Sequence, residues 1–139
     1  ATRRSSLSEL NPYVETFRHC GELAAEKWDA AEASLRMLTM PNVLRCFLLD
    51  KSGRQLGSNI ALPSRAMQAD KRFLPVASGN EAVWSRRPYF QRALAAPGQV
   101  QISRPYLSIT DAKMCVTLSV LIRNAAGQEC VYCVDILHS

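Results

Sequence analysis

Long apolar runs are missing from this chain of 139 residues. Nothing in it approaches the roughly 18 consecutive apolar residues that a membrane span needs, so the expectation is no membrane segment. The opening, ATRRSSLSELNP, is polar and carries no secretory-leader pattern. It reads as a flexible lead-in over residues 1–8, ahead of a single domain over 9–139, the whole being cut from a larger protein. Histidine is scarce, with only His19 and His138. No glycine-rich phosphate loop and no nucleophile elbow occur. A cysteine–histidine dyad stays open because such partners meet in space, but no residue points to one, and the expectation is a domain that is not an enzyme.

An even cysteine framework is also lacking. The cysteines are Cys20, Cys46, Cys115, Cys130 and Cys133, an odd set inside apolar, strand-like runs. A secreted disulfide scaffold favours even sets, so buried thiols in a reducing, cytoplasmic compartment are the simpler reading, with a periplasmic location as the alternative. Cys130-x-x-Cys133 is tested by its setting: on a strand, an odd spacing sends the two thiols to opposite faces. A metal knuckle needs both on one side of a turn. No metal site and no cofactor is therefore expected.

What is present is an ordinary globular composition, 47% hydrophobic and 21% charged, with a net charge of +5 and a pI near 9.2. The bases are scattered and no aromatics interleave with them, which disfavours nucleic acid and leaves a small anion as the partner of a basic chain. Residues 9–39 read as one long helix, with Asn11-Pro12 as cap and first-turn proline. Its apolar positions include Val14, Phe17, Ala24, Trp28, Ala31, Leu35 and Leu38. Such a helix packs over a sheet, and its exposed part can pair with a second copy. VLRCFLLDKSGRQLGSNI is a hairpin turning at Asp50–Gly53. Residues 61–83 form a loop region, and RPYFQRAL a short helix with Pro88 in its first turn. QVQISRPYLS, KMCVTLSVLIR and ECVYCVDIL follow as strands. The order predicts an α+β domain.

Alternation in KMCVTLSVL sets Cys115, Thr117 and Ser119 on one face, and Met114, Val116, Leu118 and Val120 on the face toward the helix. The first set suits either the wall of a small pocket or an exposed strand face. In the last strand Val131, Cys133 and Asp135 share a face, opposite Cys130, Tyr132, Val134 and Ile136. Arg-Pro-Tyr occurs twice, at 87–89 opening the short helix and at 104–106 on a strand, where Arg104 falls at the edge.

The stretches CFLLDKSGRQLGSNI, WSRRPYFQRAL, QISRPYLS, CVTLSV and CVYCVDI, in this order over residues 42–136, resemble PDC/Cache sensor domains, the extended PAS-like folds of bacterial signalling proteins. They look most like the cytoplasmic ones attached to EAL-type cyclic-di-GMP phosphodiesterases, although no Glu-Ala-Leu signature occurs in this chain. The resemblance implies a central antiparallel sheet of about five strands, with a long N-terminal helix on one face and short helices plus a pocket on the other. It implies a non-catalytic sensor that regulates an attached output domain, dimeric through the N-terminal helix. The alternatives are a structural dimerisation module with a vestigial pocket and an extracytoplasmic Cache sensor of a chemoreceptor or histidine kinase.

The family's R-x-[YW]-[FY] motif falls on Arg87, Tyr89 and Phe90, which would hold a ligand carboxylate. Tyr106 matches the strand tyrosine. The acidic residue that amino-acid-binding members carry two positions later is Ser108 here, which favours a simple carboxylate or another small anion. Cys115 and Thr117 complete the expected contacts, with Trp84, Cys133 and Asp135 as further candidates. Each has a plainer reading: Arg87 pairs with Asp111 or Asp135, Tyr89 and Phe90 are core, and Asp135 marks the exit toward a neighbouring domain.

Overall fold

The structure, a computed structural model, describes residues 2–62, 85–108 and 112–138. Helix α1 spans Thr2–Lys27. It starts well before Asn11, in a flank whose Arg, Leu and Glu residues favour helix. The expected cap at Asn11-Pro12 is therefore corrected: Pro12 lies inside the helix.

The single helix over 9–39 is also corrected. The chain turns at Trp28, whose φ of +55° leaves the helical region. It restarts as α2, Ala30–Ala33, and α3, Leu35–Leu38. The cause is local. Asp29 caps the new helix, its side chain accepting from the Glu32 N–H at 3.2 Å, and Asp-Ala-Ala-Glu is a helix-start signal embedded in an otherwise periodic stretch. Trp28 and Leu35, expected on the buried stripe, are exposed as a result.

Among the described residues the sheet has six antiparallel strands. These are β1, Val43–Leu49; β2, Gln55–Ile60; β3, Gln101–Ile102; β4, Tyr106–Leu107; β5, Met114–Arg123; and β6, Glu129–Leu137. The order is β2-β1-β6-β5-β3, with β4 also pairing β5. QVQISRPYLS, expected as one strand, is divided into β3 and β4 at 103–105, where Pro105 has no N–H to give a ladder. Helix α4, Pro88–Ala95, begins at Arg87 as its cap, with Pro88 in the first turn as expected.

The β1–β2 hairpin turns where the sequence predicted. Asp50 Oδ1 accepts from Ser52 N at 2.9 Å, Ser52 Oγ at 2.6 Å and Arg54 N at 3.1 Å. The Ser52 hydroxyl above all holds the Asp50 carboxyl below its ordinary range. Gly53 closes the turn at φ +87°, and a Cβ there would lie 2.5 Å from the backbone nitrogen of Ser85. Only glycine meets both demands.

One face of the sheet is covered by α1–α3. Phe17, Cys20, Ala24, Ala33, Met37 and Leu38 pack there against Val43, Cys46, Leu118, Val120, Ile122, Cys130, Tyr132 and Val134. Phe17 stacks on Tyr132 with ring centroids 4.9 Å apart. The Tyr132 hydroxyl meets Ser34 Oγ at 2.6 Å, so this buried phenol keeps a partner. Met114, expected on this face's core, lies at the strand's end and is 43% exposed. On the opposite face α4 lays Tyr89, Phe90 and Ala93 against Phe47, Leu49, Leu121, Val131 and Cys133. Cys130 and Cys133 do fall on opposite faces, as the odd spacing on a strand requires.

Candidate functional site

Three adjacent strands set the chemistry of the face under α4. Register pairs Arg45 of β1 with Asp135 of β6, and Asp135 with Thr117 of β5. The next row is Phe47, Cys133 and Ser119, and the one after is Leu49, Val131 and Leu121. Along the strands the face thus grades from a charged row to an apolar one, and α4 sits over the apolar end.

The charged row is buried. Arg45 and Asp135 side chains are each 5% exposed, with Arg45 Nη1 2.5 Å from Asp135 Oδ2. Thr117 Oγ1 donates to Asp135 Oδ1 at 2.7 Å. Its single proton being spent there, Thr117 accepts from the Tyr106 hydroxyl at 2.5 Å. Arg45 Nη1 also reaches Ser108 Oγ at 3.4 Å. Tyr106 and Cys115 are register partners on β4 and β5. Burial raises the Tyr106 and Tyr89 phenols well above their ordinary values, so both act as neutral groups.

Above this row lies an aromatic rim. The Arg87 guanidinium sits 5.0 Å from the Tyr106 ring centroid, within cation–π range. The Tyr89 and Tyr106 rings stack at 6.2 Å and 21°. Ser119 Oγ donates to the Tyr89 carbonyl at 2.8 Å, tying the first turn of α4 to β5.

The structure thus gathers Arg87, Tyr89, Tyr106, Ser108, Cys115, Thr117, Cys133 and Asp135 on one face. The reading of Cys115, Thr117 and Ser119 as an exposed strand face is overturned, since all three are fully buried. Phe90 is 3% exposed and packs in the α4 cluster, its plainer reading. Arg45 holds the Asp135 carboxylate, and the Arg87 guanidinium lies over Tyr106. Trp84 and Asp111 lie outside the described residues.

Arg45 is what sequence reasoning missed. Its signal was present: Arg45 is the one charge inside the apolar strand VLRCFLL, and Asp135 stands alone within CVYCVDIL. Arginine and aspartate are almost never fully buried unless paired, so two opposite charges isolated in apolar strands predict each other. Such a pair is weak evidence of stability, since apolar replacement is often neutral or stabilising by about 1–4 kcal/mol.

A concavity of about 440 Å³ opens elsewhere, between Arg18, Glu22, Pro97, Gly98, Arg123 and Glu129. It is not the better candidate. Arg123 and Lys51 hold the Glu129 carboxylate at 2.8 and 3.1 Å, and among the described residues no buried polar side chain lines the concavity.

No family model and no curated protein matches the chain. Solved structures do. An extracellular ligand-binding receptor from Desulfohalobium retbaense superposes with a TM-score of 0.67 at 12% identity over 97% of this chain and 24% of that one. The sensory domain of the Campylobacter jejuni chemoreceptor Tlp3, with isoleucine bound, gives 0.61 at 14% identity over 98% and 54%. The Bacillus subtilis YkuI protein, which has an EAL domain and is in complex with c-di-GMP and calcium, gives 0.60 at 19% identity over 99% and 35%. The chain therefore spans between a quarter and about half of those chains. At these identities the likeness is one of fold: the α+β, PAS-like Cache arrangement, with helices on both faces of an antiparallel sheet.

Proposed function

We propose that this chain is a non-catalytic small-molecule sensory domain of a bacterial signal-transduction protein, taking a small carboxylate or other small anion. The observation that carries the reading is the juxtaposition of Arg87, held over the Tyr106 ring, with the buried hydroxyls of Tyr106 and Thr117. A guanidinium forks two hydrogen bonds onto a carboxylate, and an aromatic rim excludes the water that would compete. The likeness to an extracellular ligand-binding receptor and to a chemoreceptor sensory domain supports a sensor over an enzyme.

The finer reading is a domain over residues 9–139 attached to an EAL-type cyclic-di-GMP phosphodiesterase on the cytoplasmic side, dimeric through the N-terminal helix. The YkuI likeness supports it, while the chemoreceptor likenesses favour an extracytoplasmic Cache sensor equally. Among the described residues no helix is long and apolar enough to cross a membrane. The sequence of the full-length gene product separates the two: an EAL domain supports the first, flanking membrane helices the second. Occupancy would act by favouring one arrangement of the helices.

The test is a thermal-shift panel of small carboxylates on the native protein and on Arg87→Ala. A binder raises the melting temperature by mass action, and the variant should lose that shift. No shift with any member on the native protein sinks the sensor reading. A second reading then takes its place, a dimerisation module with a vestigial pocket. The hydrogen bonds that Tyr106, Thr117 and Asp135 make to one another favour that reading, and it predicts a dimer in solution without a ligand response.

A further inference from the structure

We propose that Arg45 is a specificity-determining residue, which by holding the Asp135 carboxylate makes the site select a carboxylate without a cationic group over an amino acid of the same size. This rests on the carboxylate-sensor reading above and adds to it what the ligand must lack.

Asp135 is the only acidic residue among the buried polar groups described. An ammonium leaving water for this face needs a negative partner, and no other buried carboxylate is at hand among the described residues. Both oxygens of Asp135 are engaged, Oδ2 by Arg45 and Oδ1 by Thr117, with the Tyr106 hydroxyl at 3.5 Å. An ammonium brought to Asp135 would therefore also approach the Arg45 guanidinium, a like charge in a poorly screened place. Specific sites reject wrong partners in this way, by repulsion as much as by attraction.

The same pair acts in the opposite sense on a carboxylate. Tyr106 touches both groups in question, its ring under Arg87 and its hydroxyl bonded into the Asp135 row. A ligand carboxylate at Arg87 is thus a near neighbour of Asp135. Neutralised by Arg45, Asp135 does not repel it; with Arg45 removed, it would. One side chain thereby sets the sign of the discrimination. Because Arg45 and Asp135 are register partners on adjacent strands, the arrangement is built into the sheet and does not depend on a loop.

The experiment is calorimetric titration of propionate and of alanine, which differ by one ammonium, into the native protein and into Arg45→Gln. Glutamine keeps an N–H for Asp135 and removes the charge. The native protein should bind propionate at least about tenfold more tightly than alanine. In Arg45→Gln that ratio should fall by about tenfold or reverse, through weaker propionate and stronger alanine binding together. Equal native affinities, or an unchanged ratio in a folded Arg45→Gln, overturns the role of Arg45 and leaves the carboxylate sensor standing. If the variant does not fold, the native ratio decides alone. If the carboxylate panel gives no binding at all, the sensor reading falls and this inference falls with it.

Discussion

The two faces of one sheet are built from the same strands and do different work. β6 shows it most clearly. Cys130, Tyr132 and Val134 look toward the helices and join a continuous apolar cluster, while Cys133 and Asp135 look the other way, Asp135 into a buried ion pair. Among the described residues the deep polar contacts of the helix face centre on the Tyr132 hydroxyl, which meets Ser34 Oγ and donates to Cys46 Sγ. The other face concentrates Arg45, Asp135, Thr117 and Ser108 in a space of about two residues along each strand. Burial of apolar area stabilises at about 25 cal/mol per Å², whereas a buried charge pair roughly breaks even. The first face holds the domain together, and the second keeps groups that stability alone would not retain.

That contrast can be broken experimentally. The largest expected effect is on the helix face. Phe17→Ala removes a fully buried ring stacked on Tyr132 and should cost toward the upper end of about 3–5 kcal/mol in urea unfolding. A loss under 1 kcal/mol would mean that this cluster is not the core. On the other face, Arg45→Leu leaves Asp135 buried without its cation and should cost about 3 kcal/mol. Adding Asp135→Leu should recover most of that loss, a coupling read from the double-mutant cycle. Additive losses would show that the two side chains are not coupled and would erase the contrast.

The smallest effect belongs to neither face. Asp50 has its folded-state pKa held below the ordinary carboxylate value, chiefly by the Ser52 hydroxyl. A depressed carboxylate contributes stability above its unfolded value, and that contribution is lost as pH falls below about 4 through the lower folded value. Asp50→Ala should cost at most about 1 kcal/mol at neutral pH and flatten the stability profile below about pH 4. An unchanged acid limb would assign it to Glu129, whose carboxyl is likewise held low by Arg123 and Lys51.

What was legible in the sequence follows the same division. Strand alternation alone separated Cys130 from Cys133 and put Thr117 with Cys115, because period-two patterning is imposed by the backbone itself. The Asp50–Gly53 turn was equally readable, since its chemistry is local. The break at Trp28 was not, although Asp-Ala-Ala-Glu stood in plain view: helical periodicity on both sides of a restart looks continuous. Tyr106 beside Thr117 needed the register of β4 on β5, and Arg87 over Tyr106 needed the docking of α4 on the sheet. Arg45 needed one more step, from noticing a charge among apolar neighbours to asking for its partner.

Gly53 has a consequence at a distance. Its backbone lies so close to Ser85 that no side chain fits between them, and Gln91 of α4 in turn donates to the Ser85 carbonyl at 3.2 Å. The hairpin tip therefore works as a mechanical stop, a datum against which the start of α4 is set two residues before Arg87. Any lengthening of that tip would shift the guanidinium relative to the Tyr106 ring without touching either residue. The alignment of the site is thus gauged from a surface turn that itself carries none of its chemistry.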